Sequence, residues 1–364
     1  MYDDTMNIPS MTVSEATDAF LELYVGAVRR GMKFISLPTP FFWGAPGIGK
    51  SQSVIQLAEK LSESTGKKVT VTDIRLLLYS PIDIKGVPMA DAERKFTRWL
   101  KPKIFDLPDG EDYINIIFLD ELSSAPQALQ GVSYQLCLDR KVGEFELPEN
   151  TIVIAAGNRM TDKSITYKMP KALCNRILHV EIRADMKSWR RWAQGEGVSD
   201  KVVSYIMFDP TKLCVEAENS DYAFPTPRTW SFVDSILRAT GKEPQAVHKL
   251  IAGCVGVDTA IEFELFCSGA KNIPDIEKIL AGRCREIPRR HDIVYALITK
   301  LTHRILSACE TITVDELDNA CEYVLRFPKD FAASFMHGLR QDKLAGKLMK
   351  SRVYGEWIAN NSDE

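Results

Sequence analysis

Apolar residues in the first half of the chain arrive as short unbroken runs, separated by polar stretches of helical length. Residues 12–34 predict an amphipathic helix: Ala16, Phe20, Leu21, Tyr24 and Val28 recur at helical spacing, with Thr12 or Ser14 placed to cap it. Leu37-Pro-Thr-Pro-Phe-Phe-Trp-Gly44 predicts a short buried strand entering a glycine-rich turn. A helix follows from about 50 to 64, ending near Gly66. Residues 67–78 are rich in β-branched side chains and predict a second strand.

Residues 81–110 hold several Pro and Gly with little periodicity, and a connection of that length is expected to be functional. Ile114-Asn-Ile-Ile-Phe-Leu119 is almost wholly apolar, as a strand covered on both faces must be. A helix is expected over 125–139, a small hairpin over 142–147, a fourth strand over 151–156 and a fifth over 177–182. This alternation predicts an α/β fold, a five-stranded parallel sheet flanked by helices. After Arg183 the strand pattern stops. Residues 186–364 are expected to be helical, with breaks near Asp209-Pro210, Phe224-Pro-Thr-Pro227, Gly241, Ile273-Pro274 and Pro328, and a frayed polar tail from Asn360. The expected division is an N-terminal helical segment (1–35), an α/β domain (36–184), a helical domain (185–300) and a C-terminal helical extension (301–364). Helices at 314–325, 331–337 and 344–357 make up that extension, whose task is unreadable from sequence.

The chain has 364 residues, 45% hydrophobic and 26% charged, which suits a globular protein with more than one core. Its net charge of -3 lacks the basic footprint of a dedicated nucleic-acid binder, although local patches remain open. The eight cysteines form no CxxC pair, and no histidine stands at metal-ligand spacing from one, so free thiols in a reducing compartment are expected. The opening MYDDTMNIPS has no signal-peptide pattern, and no apolar run approaches the ~20 residues that cross a bilayer. The cytoplasm is the expected address.

Gly44-Ala45-Pro46-Gly47-Ile48-Gly49-Lys50-Ser51 satisfies GxxxxGK[ST] between a predicted strand and a predicted helix. Glycines there let backbone N–H groups turn inward around phosphate oxygens, and the helix start adds its positive dipole end. Lys50 would reach the β- and γ-phosphates, and the Ser51 hydroxyl would ligate Mg²⁺. In Ile116-Ile-Phe-Leu-Asp120-Glu121, four apolar residues bury a strand and push the acids out at its carboxyl end. Two acids at a strand end can be mere solvation. Downstream of such a loop they suit metal binding at Asp120 and orientation of an attacking water by Glu121.

Together these two motifs resemble Walker A and Walker B of the AAA+ superfamily. Later landmarks resemble its MoxR-like, dynein-related branch. Ile152-Val-Ile-Ala-Ala-Gly-Asn158-Arg is similar to the sensor 1 strand, and Met169-Pro-Lys-Ala-Leu-Cys-Asn175-Arg176 to the segment carrying the arginine finger. Phe224-Pro-Thr-Pro-Arg228-Thr-Trp is similar to the sensor 2 stretch, and Asp83-Ile-Lys-Gly86-Val-Pro88 to the motif preceding that branch's helix-2 insert. Two departures stand out. The finger segment reads Asn-Arg-Ile where the family has Asp-Arg-Phe, and sensor 2 reads Thr-Pro-Arg where it has Ser-Pro-Arg; both keep the arginine.

The resemblance implies a P-loop AAA+ core followed by an all-α lid, with ATP and Mg²⁺ as ligands. It implies that Asn158 holds the attacking water or the γ-phosphate, Arg176 reaches the γ-phosphate of a neighbouring subunit, and Arg228 touches the nucleotide from the lid. Plain alternatives are a turn residue, a surface ion pair and a solvated first-turn arginine, and Arg159 competes as the finger. A trans finger requires a ring, which the family builds from six subunits. The implied work is ATP-driven remodelling or activation of a client, with a von Willebrand factor A domain protein as possible partner. A nucleic-acid-linked motor of the same group is the alternative. Residues 90–102, which expose Phe96 and Trp99 among four basic residues, and 140–147 are candidates for engaging a partner. The basic runs at 187–191 and 283–290 are expected to be solvated helix ends or subunit contacts.

Overall fold

A computed structural model of the chain describes residues 8–159, 162, 167, 169–215, 222–269, 273–340 and 342–361. They fall into two compact units, the first running to Ser188 and the second beginning at Trp189.

The first unit opens with β1 (Ser10–Thr12) and α1 (Val13–Arg29), then β2 (Thr39–Trp43), α2 (Lys50–Thr65) and β3 (Lys68–Arg75). Next come α3 (Pro81–Lys85), β4 (Val87–Ala90), β5 (Thr97–Leu100), β6 (Tyr113–Asp120) and α4 (Gln127–Asp139). It closes with β7 (Lys141–Val142), β8 (Phe145–Glu146), β9 (Thr151–Gly157), α5 (Lys171–Cys174) and β10 (Ile177–Arg183). The main sheet is wholly parallel in the order β1-β10-β2-β9-β6-β3. It has one strand more than the pattern predicted. β1 is only three residues long and is a strand because it pairs with Glu181, Ile182 and Arg183 of β10.

Both faces of the sheet are covered. Phe41, Trp43, Ile117, Leu119, Val153 and Ala155 pack with Leu129 and Leu136 of α4, Ile84 of α3 and Phe105. Side chains alternate along a strand, so Phe42 turns to the opposite face, where its ring lies 5.4 Å from Phe20 of α1. α1 packs on α2 there. Thr12 caps α1 in a capping box: its hydroxyl accepts from Glu15 N–H at 3.2 Å, and the Glu15 carboxylate accepts from Thr12 N–H at 2.7 Å. The helix stops at Arg29, short of the expected 34, before the left-handed turn at Gly31. The 81–110 connection is ordered as α3, the β4–β5 hairpin and a short 3₁₀ turn over Lys103–Phe105.

Among its described residues the second unit is helical, with no strand. α6 (Met186–Gly195) leads into α7 (Asp200–Phe208), α8 (Pro227–Thr240), α9 (His248–Val255), α10 (Val257–Gly269) and α11 (Ile276–Leu280). α12 (His291–Ser307), α13 (Val314–Val324), α14 (Lys329–Gly338), α15 (Asp342–Leu348) and α16 (Arg352–Asn360) follow. Tyr205, Trp230 and Phe263 form a buried aromatic centre with ring separations of 5.3–5.6 Å. The single helix expected over 344–357 is two, because the Ser351 hydroxyl caps α16 by accepting from Tyr354 N–H and donates to Asp318 at 2.5 Å. Among the described residues no helix is long and apolar enough to cross a membrane.

Candidate nucleotide-binding site

Three strand ends meet at one edge of the sheet. β9 lies between β2 and β6, so Gly44, Asn158 and Asp120-Glu121 emerge side by side at the carboxyl ends of parallel strands. In open α/β sheets, that edge is where ligands bind. Beyond the buried β2, the chain turns through Gly44 (φ 153°), Gly47 (φ 80°) and Gly49 (φ 106°) before α2 begins at Lys50. A Cβ on Gly44 would lie 2.7 Å from the Ile182 carbonyl oxygen and 2.4 Å from Ile48 Cδ1, so only glycine fits against β10. Gly49 gives α2 no side-chain cap, and the positive dipole end of the helix there favours an anion.

The Lys50 ammonium is buried in this loop. It donates to the carbonyls of Gly44 (2.5 Å) and Ala45 (3.0 Å) and to Asn158 Oδ1 (3.0 Å). Asn158 Nδ2 in turn donates to Glu121 Oε2 at 3.2 Å. One amide therefore spans the cation and the acid, in the only orientation that suits both, oxygen toward Lys50 and NH₂ toward Glu121. Ser51 Oγ donates to Asp120 Oδ2 at 3.4 Å, while Asp120 Oδ1 accepts from Glu121 N–H at 2.9 Å. Glu121 adopts φ 62°, a left-handed conformation that costs a non-glycine residue on the order of 1 kcal/mol or more.

Several positioning residues escaped the sequence reading. Ser123 Oγ accepts from Asn158 N–H (2.9 Å) and donates to Asn158 C=O (3.0 Å), fixing the backbone that aims the amide. Gly157 makes room for it, since a Cβ there would lie 2.5 Å from Ser123 Oγ. Asp73 on β3 is held above the usual carboxylate range, first by burial and then by the negative charge of Asp120. Trp43 Nε1 donates to His179 Nδ1 at 2.9 Å, and His179 Nε2 lies 2.9 Å from the Cys174 carbonyl oxygen. Tryptophan can only donate, so Nδ1 accepts here and Nε2 is placed to donate to the carbonyl. No local signal marks any of these, because their partners lie 34 to 136 residues away, or 5 along the chain across a turn.

The two candidate fingers differ. Arg159 is clamped within its own unit by Asp162 (2.6 Å) and Glu181 (2.6 Å), and the hydrogen bond it donates to Asp162 leads in holding its pKa up. Arg176 follows α5 and is exposed, and no ion pair holds it among the described residues. Arg228 stands in the second unit, exposed in the first turn of α8, whose start is capped by Thr226 and Thr229. In the 140–147 segment, Arg140 is a core residue. Its guanidinium donates to Thr39 Oγ1 (2.7 Å) and to the carbonyls of Leu136 (3.3 Å) and Cys137, tying α4 to the start of β2. Arg190, from the basic run at 187–191, likewise turns inward to Ser334 Oγ at 3.1 Å.

No protein-family model and no curated protein matches the chain. Among solved structures it is similar to a mutant RuvB from Thermotoga maritima, at 15% identity over 96% of this chain and 88% of that one, with a TM-score of 0.39. It is also similar to PCH-2 from C. elegans, at 13% identity over 71% and 69% and a TM-score of 0.35. A putative ATPase from Cytophaga hutchinsonii shares 14% identity over 88% and 84%, with a TM-score of 0.31. Likenesses this distant assign neither an activity nor a partner.

Proposed function

We propose that this chain is an AAA+ ATPase of the MoxR-like kind, which binds ATP with Mg²⁺ at residues 44–51 and hydrolyses it to drive a conformational change in a partner protein. The observation that carries this is the linked set Lys50–Asn158–Glu121 beside Ser51–Asp120, gathered at one sheet edge from three strand ends.

In this reading, Lys50 exchanges its carbonyl partners for β- and γ-phosphate oxygens. The α2 N-terminus and the loop N–H groups take the remaining phosphate charge. Ser51 Oγ and the Asp120 carboxylate are the hard oxygens that would hold Mg²⁺. When bound, that ion neutralises charge on the phosphates. Glu121 orients the attacking water and draws its proton as the oxygen adds to the γ-phosphorus. The bond to the bridging oxygen breaks, and ADP leaves with the electron pair. Asn158 keeps Glu121 aimed.

Arg176 would neutralise the γ-phosphate of a neighbouring subunit, which its exposure permits and which the clamped Arg159 could do only by leaving two carboxylates. A ring, six-fold by resemblance, follows from that role. Arg228 would read the nucleotide from the helical unit. The partner would be a client or a von Willebrand factor A domain protein.

The test is a pair of variants. Lys50→Ala is expected to lose nucleotide binding, and Glu121→Gln to bind ATP but release almost no phosphate. Normal affinity in the first, or near wild-type turnover in the second, would remove the residue from its role.

A further inference from the structure

The β4–β5 hairpin pairs only with itself, apart from the main sheet. Its two edges are unequal. Met89 faces Arg98, Pro88 faces Trp99 and Ala90 faces Thr97, while Asp91 N–H donates to the Phe96 carbonyl at 2.9 Å. Hydrogen-bonded and open pairs alternate in an antiparallel ladder, so Met89/Arg98 is a bonded pair and Pro88/Trp99 and Ala90/Thr97 turn their backbone groups outward. On the β4 side, that outward row lacks a donor, because Pro88 has no N–H. On the β5 side, it is complete: Thr97 and Trp99 each present an N–H and a C=O. Neither makes a further backbone hydrogen bond among the described residues. Proline is a device that blocks pairing at an exposed edge, and only one edge here carries it.

Side chains say what would fit. Directly opposed residues share a face, which places Val87, Met89, Leu100 and Arg98 together, and the three apolar ones are 50%, 51% and 54% exposed. Between 85 and 103, six residues are basic and two are acidic, a local balance of +4 in a chain that totals -3. Glu93 is already paired with Lys95 at 2.9 Å, whereas Arg98 and Lys101 have no ion pair among the described residues. A second copy of β5 laid antiparallel on the first would bring two basic hairpins together, and when centred on residue 98 would set arginine against arginine, which is unfavourable. Single-stranded nucleic acid would want open aromatic faces, but Lys85 sits 4.5 Å over the Trp99 ring, and no base can continue a backbone ladder.

We propose that β5 is an acceptor edge for an extended acidic segment of a partner protein, which adds as a third strand and lays apolar side chains over Val87, Met89 and Leu100. This surface is distinct from the nucleotide site, and the inference stands whether or not the chain hydrolyses ATP.

The experiment uses the full chain and two fluorescein-labelled ten-residue probes, one of alternating Glu and Val and one of alternating Lys and Val, read by fluorescence anisotropy. The acidic probe is expected to bind at least about tenfold more tightly, with the preference shrinking as salt rises. Thr97→Pro removes an outward N–H and leaves the ladder to β4 intact, so it should cost about tenfold or more at an unchanged melting temperature. Arg98→Glu with Lys101→Glu, which leaves the backbone alone, should erase or invert the preference and decides the matter if the proline variant unfolds. Equal binding of the two probes, full affinity after Thr97→Pro in a folded protein, a preference untouched by charge reversal, or complete displacement of the acidic probe by an oligothymidylate would each overturn the proposal.

Discussion

Replacing Asn158 by alanine isolates the amide that joins the cation to the acid. The backbone of residue 158 is held by Ser123 through both its N–H and its C=O, so the strand end should survive the change. On the Lys50 side, the ammonium keeps the carbonyls of Gly44 and Ala45, and it loses a partner it must release anyway to meet phosphate. Nucleotide affinity should therefore stay within about threefold of wild type. On the Glu121 side, a hydrogen bond to a charged group disappears, a contact worth about 1.5–3 kcal/mol. If that contact aims the carboxylate in the transition state, kcat should fall about 10- to 150-fold. Phosphate release at saturating Mg-ATP gives kcat, and equilibrium binding of a labelled nucleotide gives Kd. Asn158→Asp should differ in kind: a carboxylate 3.2 Å from Glu121 repels it while gripping Lys50, so affinity should drop as well. An alanine variant turning over within twofold of wild type would refute this reasoning, as would one that loses binding at normal kcat.

Arg176→Ala subunits mixed with Lys50→Ala subunits should regain part of the turnover that each lacks alone, measured as phosphate release across mixing ratios; a flat zero at every ratio argues against a finger acting in trans. Arg159→Ala should not be rescued that way and should lower stability by about 2 kcal/mol, because Asp162 and Glu181 lose their shared cation, and denaturant melts would register this. Glu316 is held below the usual carboxylate range, chiefly by the hydrogen bond from Thr313 N–H. Its contribution is present at neutral pH and lost as pH falls through the lowered value. Glu316→Gln should therefore show its largest melting deficit near pH 7, closing below about pH 4.

The parts of the site legible in sequence are those built from chain neighbours. The 44–51 loop declares itself because its glycines, its lysine and the helix it opens are consecutive, and Asp120-Glu121 because an apolar run must end where the acids start. The main strands were equally plain, since burial on both faces leaves unbroken apolar runs. β1 was not, because three residues have no pattern of their own and become a strand only against β10. The β4–β5 hairpin hid for the opposite reason: nearly every residue in it is exposed, so no face imposes alternation. Residue types at 158 and 159 suggested chemistry. That Asn158 bridges Lys50 and Glu121, and that Arg159 is already engaged by Glu181, depends on strand order, which side-chain spacing does not encode.

The imidazole between Trp43 and Cys174 has a mechanical meaning. Trp43 is the last residue before the loop at 44–51, and Cys174 ends the short helix that leads to Arg176, so a single aromatic ring is the pin through two levers 131 positions apart. With both nitrogens engaged and its plane within 20° of the indole's, the ring cannot swivel toward one lever without letting go of the other. If Arg176 serves a neighbouring subunit as proposed, a shift of the 44–51 loop would be felt at Arg176 through this ring.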